Sequence, residues 1–565
     1  MVTQPIFPSR GAVLGGRFCC IFVGHFCCIL FYRLQPLYRK LYDNSLRLRE
    51  RKAIVYYGTI ITWDEVRDLI YRAAGSLQRM GIGKGDRVYL GMQNCPQMVI
   101  SFFAAHFVGA VVTAMTPAYK VGEVQYAAND SGAKVMIIEE SVIPIYNQVK
   151  DKLSTVEHVV VTSLGEYLPE NPYPHFPEDL LPQGLKCDGP AMSWKEFVGG
   201  EPLKEMAKSN INDVAVLQYT TGTTGRPKGA MLTHRCIEAG SFILTGHTGN
   251  TVDTVTLAVL PLFHITSMND HMFTWAFMGG CLVILARFDP DSYLQAIERY
   301  RCTYSIVVTT IVIALANHPN FEKYDLSSLA LLGIGGAPLP VPVLQKYHNM
   351  GVYLSEGWGM SETTALGIMN PMDAIKIGSI GMPVPQVDIR LVDPMDISRD
   401  VPIGEEGELW IKSPLVAIGY WNAPELTAET FLEGGWLRTG DICKMDEDGY
   451  FYICGRLKEM IKVSAYSVFP AEVEQYMFEH PAIQDCAAIG VPHESKGEEV
   501  KIFVVLKPDY KGKITEQEMI DWAKNQMAPY KYPRIIEFRD SLPVGNTGKV
   551  MRKILREEEA ARRGV

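Results

Sequence analysis

A chain of 565 residues is too long for one ordinary domain, and at roughly 150 residues per domain it holds about three or four folded units. Hydrophobic residues at 47% and charged residues at 21% exclude a disordered chain. A net charge of −9, from 54 basic and 63 acidic residues, argues against a general nucleic-acid binder, which carries a basic surplus on one face.

The chain opens with an apolar run from Phe18 to Tyr32, short of the ~20 residues needed to span a bilayer. Arg10 and Arg17 precede it like a signal n-region, but no small-x-small cleavage site follows. A membrane-surface anchor and a true transmembrane start stay open. The favoured reading makes residues 1–33 a leader outside the fold, with peripheral membrane contact through them left undecided. Of twelve cysteines, Cys19, Cys20, Cys27 and Cys28 cluster there and the rest are scattered singly. No CxxC pair occurs, so a structural zinc site is not expected, and the scatter suits a reduced, cytoplasmic protein.

From Ala53 onward the pattern is that of an α/β enzyme. Lys52 to Gly58 reads as a strand and turn. Thr62 caps a helix, with Glu65 completing a capping box, and Val66, Leu69, Ile70, Ala73, Ala74 and Leu77 mark its buried face. Gly81 and Gly83 stop it. Val88 to Gly91 reads as a short strand. Phe107 to Ala114 reads as a helix end and a strand, and Lys134 to Glu139 as a buried strand. Strands alternating with helices imply a largely parallel sheet. Leu164 to Glu196 is Pro-rich and reads as a surface excursion. Thr254 to Ala286 is strongly apolar and reads as core around a pocket. Pro383 to Trp421 suggests a β-rich subdomain. After Gly455 the predicted elements are a helix over Ala471–His480, strands over Asp485–Val491 and Val500–Leu506, and a helix over Glu516–Gln526, which together make a small α+β domain. The expected organisation is therefore a large N-terminal α/β domain over 34–455 with a β-rich subdomain, and a small mobile C-terminal α+β domain over 456–565.

The loop from Thr220 to Gly229 packs Thr220, Thr221, Gly222, Thr223, Thr224, Gly225, Arg226, Pro227 and Lys228 after the β-like stretch Val214 to Tyr219. Glycines let a backbone approach phosphate and expose its N–H groups; the Thr hydroxyls add donors and Lys228 adds charge. The Gly-Lys-Ser/Thr order of a Walker A loop is absent. With these neighbours a plain polar turn is a poor account.

This string resembles the signature Ser/Thr-Ser/Thr/Gly-Gly-Ser/Thr-Thr-Gly-x-Pro-Lys-Gly of the acyl-adenylate-forming superfamily, which includes acyl-CoA synthetases, coumarate–CoA ligases, beetle luciferases and peptide-synthetase adenylation domains. The resemblance runs from about residue 45 to 556 and is strongest to the fatty-acid–CoA ligase branch. It implies an adenine-side loop at Gly335, Gly336, Ala337, Pro338 and Leu339. The stretch Gly357, Trp358, Gly359, Met360, Ser361, Glu362 is similar to the family's Gly-Tyr-Gly-Met-Thr-Glu motif. By that match Trp358 lies against adenine, Ser361 contacts phosphate, and Glu362 with Thr221 holds Mg²⁺. Asp441, in Thr439-Gly440-Asp441, would accept from the ribose hydroxyls. Arg456 would contact ribose or phosphate and Lys458 would be the hinge. Lys462 would serve thioester formation, and Lys549 would drive adenylation by bridging carboxylate and α-phosphate. His264, in Pro261-Leu262-Phe263-His264, would sit beside the bound carboxylate, although a satisfied core histidine is the competing account. Arg287, Ser464 and Ala465 would face CoA. Where relatives carry glycine, this chain has Ala465, and alanine in a left-handed conformation costs on the order of 1 kcal/mol.

The resemblance implies a two-step ligase. A carboxylic acid, of medium or long aliphatic chain on the apolar character after His264, reacts with Mg·ATP to give acyl-AMP and pyrophosphate, and the acyl group then passes to CoA. A short, hydroxy or aryl acid, and transfer to a carrier protein, are the alternatives within the class. A catalytically silent nucleotide-binding scaffold is the alternative outside it. A homodimer is left open, and no nucleic-acid partner is expected.

Overall fold

The computed structural model describes residues 34–220, 227–335, 341–464, 466–493, 496–544 and 550–563. The apolar leader lies outside these. Contacts divide the chain into two compact units, one ending at Asp388 and resuming over Ile411–Leu437, the other formed by Ile389–Trp410 and Arg438 onward.

The first unit is built on two sheets. Thr62 caps the helix Trp63–Arg79 through the predicted box, its hydroxyl accepting from the Glu65 amide, and Gly81 follows with φ 78°. The strands Arg87–Gly91, Val111–Met115 and Ala133–Glu139 are nearly continuous apolar runs because both faces of their sheet are covered. They belong to a seven-stranded sheet in which every neighbour is parallel except the last pair, Val214–Thr220 with Lys228–Thr233. That antiparallel pair carries the glycine- and threonine-rich loop between its strands.

The nine-stranded sheet runs from Met382–Pro383 through Ile368–Met369, Tyr353–Trp358, Leu331–Gly335, Tyr304–Val308, Val255–Ala258, Cys281–Ile284 and Lys52–Tyr56 to Thr59–Thr62, parallel in its middle and antiparallel at both ends. The predicted excursion after Leu164 is irregular over most of its length, but it ends early. Ser193 and Glu196 form a capping box that starts the helix Trp194–Gly199. Trp63 and Trp275 stack at 4.7 Å within the core of this unit.

In the second unit the strands Ile483–His493 and Gly497–Leu506 form a long antiparallel pair, with Ile535–Arg539 parallel to the latter. The helices Pro470–Met477, Glu516–Gln526 and Arg552–Arg563 belong to the same unit. The first is shorter than the predicted Ala471–His480, and Glu516–Gln526 has the predicted bounds. No helix among the described residues is long and apolar enough to cross a membrane.

Candidate active site

Lys228 opens the strand Lys228–Thr233, and its ammonium lies 5.7 Å from the centroid of the Tyr420 ring. The Tyr420 hydroxyl donates to Glu362 Oε1 at 2.6 Å. Burial, and then the Glu362 charge, push the pKa of this phenol far above its usual range, so it remains a donor. Glu362 itself is 6% exposed.

One stretch of chain joins the two charged residues. The Trp421 amide donates to Gly229 O, Met231 N donates to Gly419 O, and Ile418 N donates to Met231 O. On the other side Ala417 N donates to Glu362 O, and the Thr364 hydroxyl donates to Leu415 O at 2.8 Å. Residues 415–421 thus act as a strap between the strand of Lys228 and the turn of Glu362.

That turn is tight. A Cβ on Gly359 would stand 2.1 Å from the Ala365 carbonyl, so only glycine fits. Thr364 and Ala365 hold φ 55° and 62°, a strained pair immediately after Ser361–Thr363. Gly357 and Trp358 end the strand Tyr353–Trp358, and Trp358 is largely buried. The turn residues Met360 and Ser361 sit between them and Glu362.

His264 caps the short helix Ile265–Ser267, with Nδ1 accepting from Thr266 N at 3.3 Å, which leaves the ring proton on Nε2. The loop before it is pinned twice. Leu262 N donates to Asn94 Oδ1 at 2.7 Å, and Gln218 Nε2 donates to Phe263 O at 3.3 Å. Gln218 lies two residues before Thr220, so the strand leading into the threonine- and glycine-rich stretch also holds the loop of His264. Arg287 is engaged elsewhere, in a bidentate pair with Asp179 at 2.5 Å.

Within the second unit Asp441 and Arg456 stand opposite each other on the antiparallel strands Trp436–Met445 and Phe451–Arg456. Arg456 Nε meets Asp441 Oδ1 at 2.8 Å, and Asp441 is 3% exposed. Its amide donates to the Thr439 hydroxyl, which in turn donates to Leu409 O. Lys458 lies in the single turn Leu457–Glu459, and Lys462, with its side chain exposed, on the strand Ile461–Val463. Ser464 follows with φ 57° and donates its amide to Lys496 O at 2.7 Å. Thr221, Gly222, Thr223, Thr224, Gly336, Ala337, Pro338, Ala465 and Lys549 lie outside the described residues.

The first unit therefore brings Lys228, Glu362 and the Trp358 turn onto one frame, with His264 on a loop anchored to the neighbouring strand. Tyr420, Asn94 and Gln218 carry no motif of their own in the sequence. Among the described residues no group of three or more His, Cys, Asp or Glu forms a metal cage. A single buried carboxylate oriented by a phenol would suit a Mg²⁺ that takes most of its ligands from water and substrate phosphate.

The AMP-binding enzyme profile matches residues 42–421, and that of the AMP-binding enzyme C-terminal domain matches 472–549. The chain belongs to the AMP-binding enzyme family. It is similar to a long-chain-fatty-acid–CoA ligase of Bacillus subtilis (strain 168), with 36% identity over 92% of this chain and 94% of that protein. A long-chain-fatty-acid–CoA ligase of Escherichia coli O6:H1 is 36% identical over 93% of this chain and 95% of that one. The crystal structure of the anthranilate CoA ligase AuaEII with anthranoyl-AMP superposes with a TM-score of 0.83 at 28% identity, covering 94% of this chain and 99% of that one. Within the AMP-binding enzymes the chain is an ATP-dependent, AMP-forming acyl-CoA synthetase, with a carboxylic acid, ATP and CoA as its substrates.

Proposed function

We propose that this acyl-CoA synthetase activates medium- or long-chain fatty acids. The observation that carries the activation step is the strap at 415–421, which hydrogen-bonds both to the strand bearing Lys228 and to the turn bearing Glu362. It gives a triphosphate a fixed cation and a fixed carboxylate on one frame. The fatty-acid preference draws on the names of the relatives and on the apolar run after His264, where Ile265, Met268, Met272 and Phe273 are all buried.

Lys228 would neutralise the β- and γ-phosphates as pyrophosphate departs, and Glu362, with Thr221, would hold Mg²⁺. Bound there, Mg²⁺ supplies Lewis-acid polarisation of the phosphates. Trp358, with Gly336, Ala337 and Pro338, would line the adenine, and Asp441 with Arg456 would take the ribose. His264, its proton on Nε2, would donate toward the substrate carboxylate and hold it for attack on the α-phosphorus. Lys549 would stabilise the charge that builds on the α-phosphate. Rotation about Lys458 would then bring Lys462, Ser464 and Ala465 to the thioester step. Arg287 would have to leave Asp179 before meeting a CoA phosphate.

Coupled AMP release, measured across short, branched, medium, long, hydroxy and aryl acids, tests the reading. The highest kcat/KM is expected on unbranched medium and long chains, with Lys549→Ala lowering acyl-AMP formation by more than a hundredfold. Preference for a hydroxy or aryl acid would overturn the substrate assignment.

A further inference from the structure

We propose that Tyr420 is a positioning residue that sets Glu362 and Lys228 relative to each other and so governs how selectively the site takes the Mg²⁺ complex of ATP. The inference rests on the reading above of Glu362 as the metal carboxylate and Lys228 as the phosphate cation.

Tyr420 is held from several sides. Its amide donates to Thr427 Oγ1 at 2.9 Å, and that hydroxyl donates to Ala423 O. Its ring meets Phe431 edge-on at 5.3 Å, and the residue is 7% exposed. Its backbone bridges Ala230, two positions beyond Lys228. A phenol locked in this way can do two things at once. Its face attracts the Lys228 ammonium, and its hydroxyl takes one oxygen of Glu362.

The hydroxyl matters most for orientation. A carboxylate with one oxygen committed at 2.6 Å presents its remaining lone pairs in a fixed direction. Mg²⁺ demands near-ideal octahedral geometry, whereas Ca²⁺ accepts six to eight ligands in loose arrangements. Freeing the carboxylate should therefore harm Mg²⁺ more than Ca²⁺. General damage to the fold would harm both alike.

The experiment titrates the full chain with a non-hydrolysable α,β-methylene ATP analogue by calorimetry, without metal, with Mg²⁺ and with Ca²⁺. Tyr420→Phe keeps the ring and removes the hydroxyl. Metal-free affinity is expected within twofold of the parent, Mg²⁺-supported affinity about tenfold weaker, and the Ca²⁺-supported loss smaller. Tyr420→Leu also removes the ring face and should weaken metal-free binding as well. Should the Leu variant not fold, the Phe variant carries the test alone. Equal weakening in all three conditions, or an unchanged Mg²⁺ response in Tyr420→Phe, overturns the proposal. Glu362→Gln separates the two levels. If it keeps the full Mg²⁺ effect, Glu362 is not the metal carboxylate, and the role given to Tyr420 falls with it.

Discussion

Ser464 holds φ 57° at the junction where the sequence pointed to Ala465 as the strained position. A left-handed conformation costs a non-glycine residue roughly 1–2 kcal/mol, while glycine gives back about 0.5–1 kcal/mol through the freedom of its unfolded chain. Ser464→Gly should therefore stabilise the second unit by roughly 0.5 kcal/mol, read as a higher urea midpoint with unchanged slope. A lower midpoint would mean that the Ser464 side chain contributes more than its backbone costs. Lys228, Glu362, Asp441 and Arg456 could be picked out as candidates from the sequence because each sits in a short string that resembles a family motif. Tyr420 and Asn94 were not. Their hydrogen-bond partners lie 58 and 168 positions away, and nothing local distinguishes them from core tyrosine and turn asparagine.

The elements that could be read from the chain were those carrying their own boundary signals, such as Trp63–Arg79 with its capping box and Glu516–Gln526 with Thr515 and Glu518. Which strands share a sheet could not be read. Lys52–Tyr56 pairs with Cys281–Ile284, whereas Arg87–Gly91, next but one along the chain, belongs to the other sheet. Such pairing depends on partners hundreds of residues apart, and no local period encodes it. The strap at 415–421 is hidden for the same reason, since its backbone partners Gly229 and Met231 lie far off along the chain. Its weak point is Gly419, at φ 142°, where a Cβ would stand 2.7 Å from Thr427 Cγ2. Gly419→Ala should destabilise the first unit by about 1–3 kcal/mol and weaken binding of the ATP analogue, since Thr427 also holds the Tyr420 amide. Adding Thr427→Ser removes the offending methyl and keeps the hydroxyl. The double variant should recover part of the loss, leaving the backbone strain and a tight 3.2 Å approach to the Thr427 hydroxyl. If it recovers nothing, the clash is not the cause.

At the scale of the whole molecule, the first unit buries histidines that must stay neutral. Burial pushes His106 down to about 4 and His271 down to about 3, and it holds His234 well below its usual value, with the nearness of His106 and of the Lys84 ammonium adding to the effect. The His106 and His234 rings meet edge-on at 5.0 Å, and His106 Nε2 meets Ala215 O at 3.1 Å. An unfolded chain protonates these rings near pH 6.5, before the native state can. Their contribution to stability is therefore complete above about 6.5, and that of His106 is lost as pH falls toward 4. Buried Asp270 and Glu139 act in the opposite sense. Burial raises both, so the native state binds those protons first and is favoured as pH falls through their range. The total slope is a difference of the two sets, and a single substitution isolates one member of it. His106→Gln keeps an amide donor for Ala215 O and does not titrate. Between pH 6 and 4.5 its unfolding free energy should depend on pH less steeply than the parent's, by up to about 1.4 kcal/mol per pH unit, which is the weight of one proton. Urea titrations of the full chain at several pH values supply the measurement. The change should appear only in the transition of the first unit, because His106 belongs to that unit alone. Parallel curves for parent and variant would show that His106 takes up its proton equally readily in both states, and its burial would then carry no pH-dependent weight.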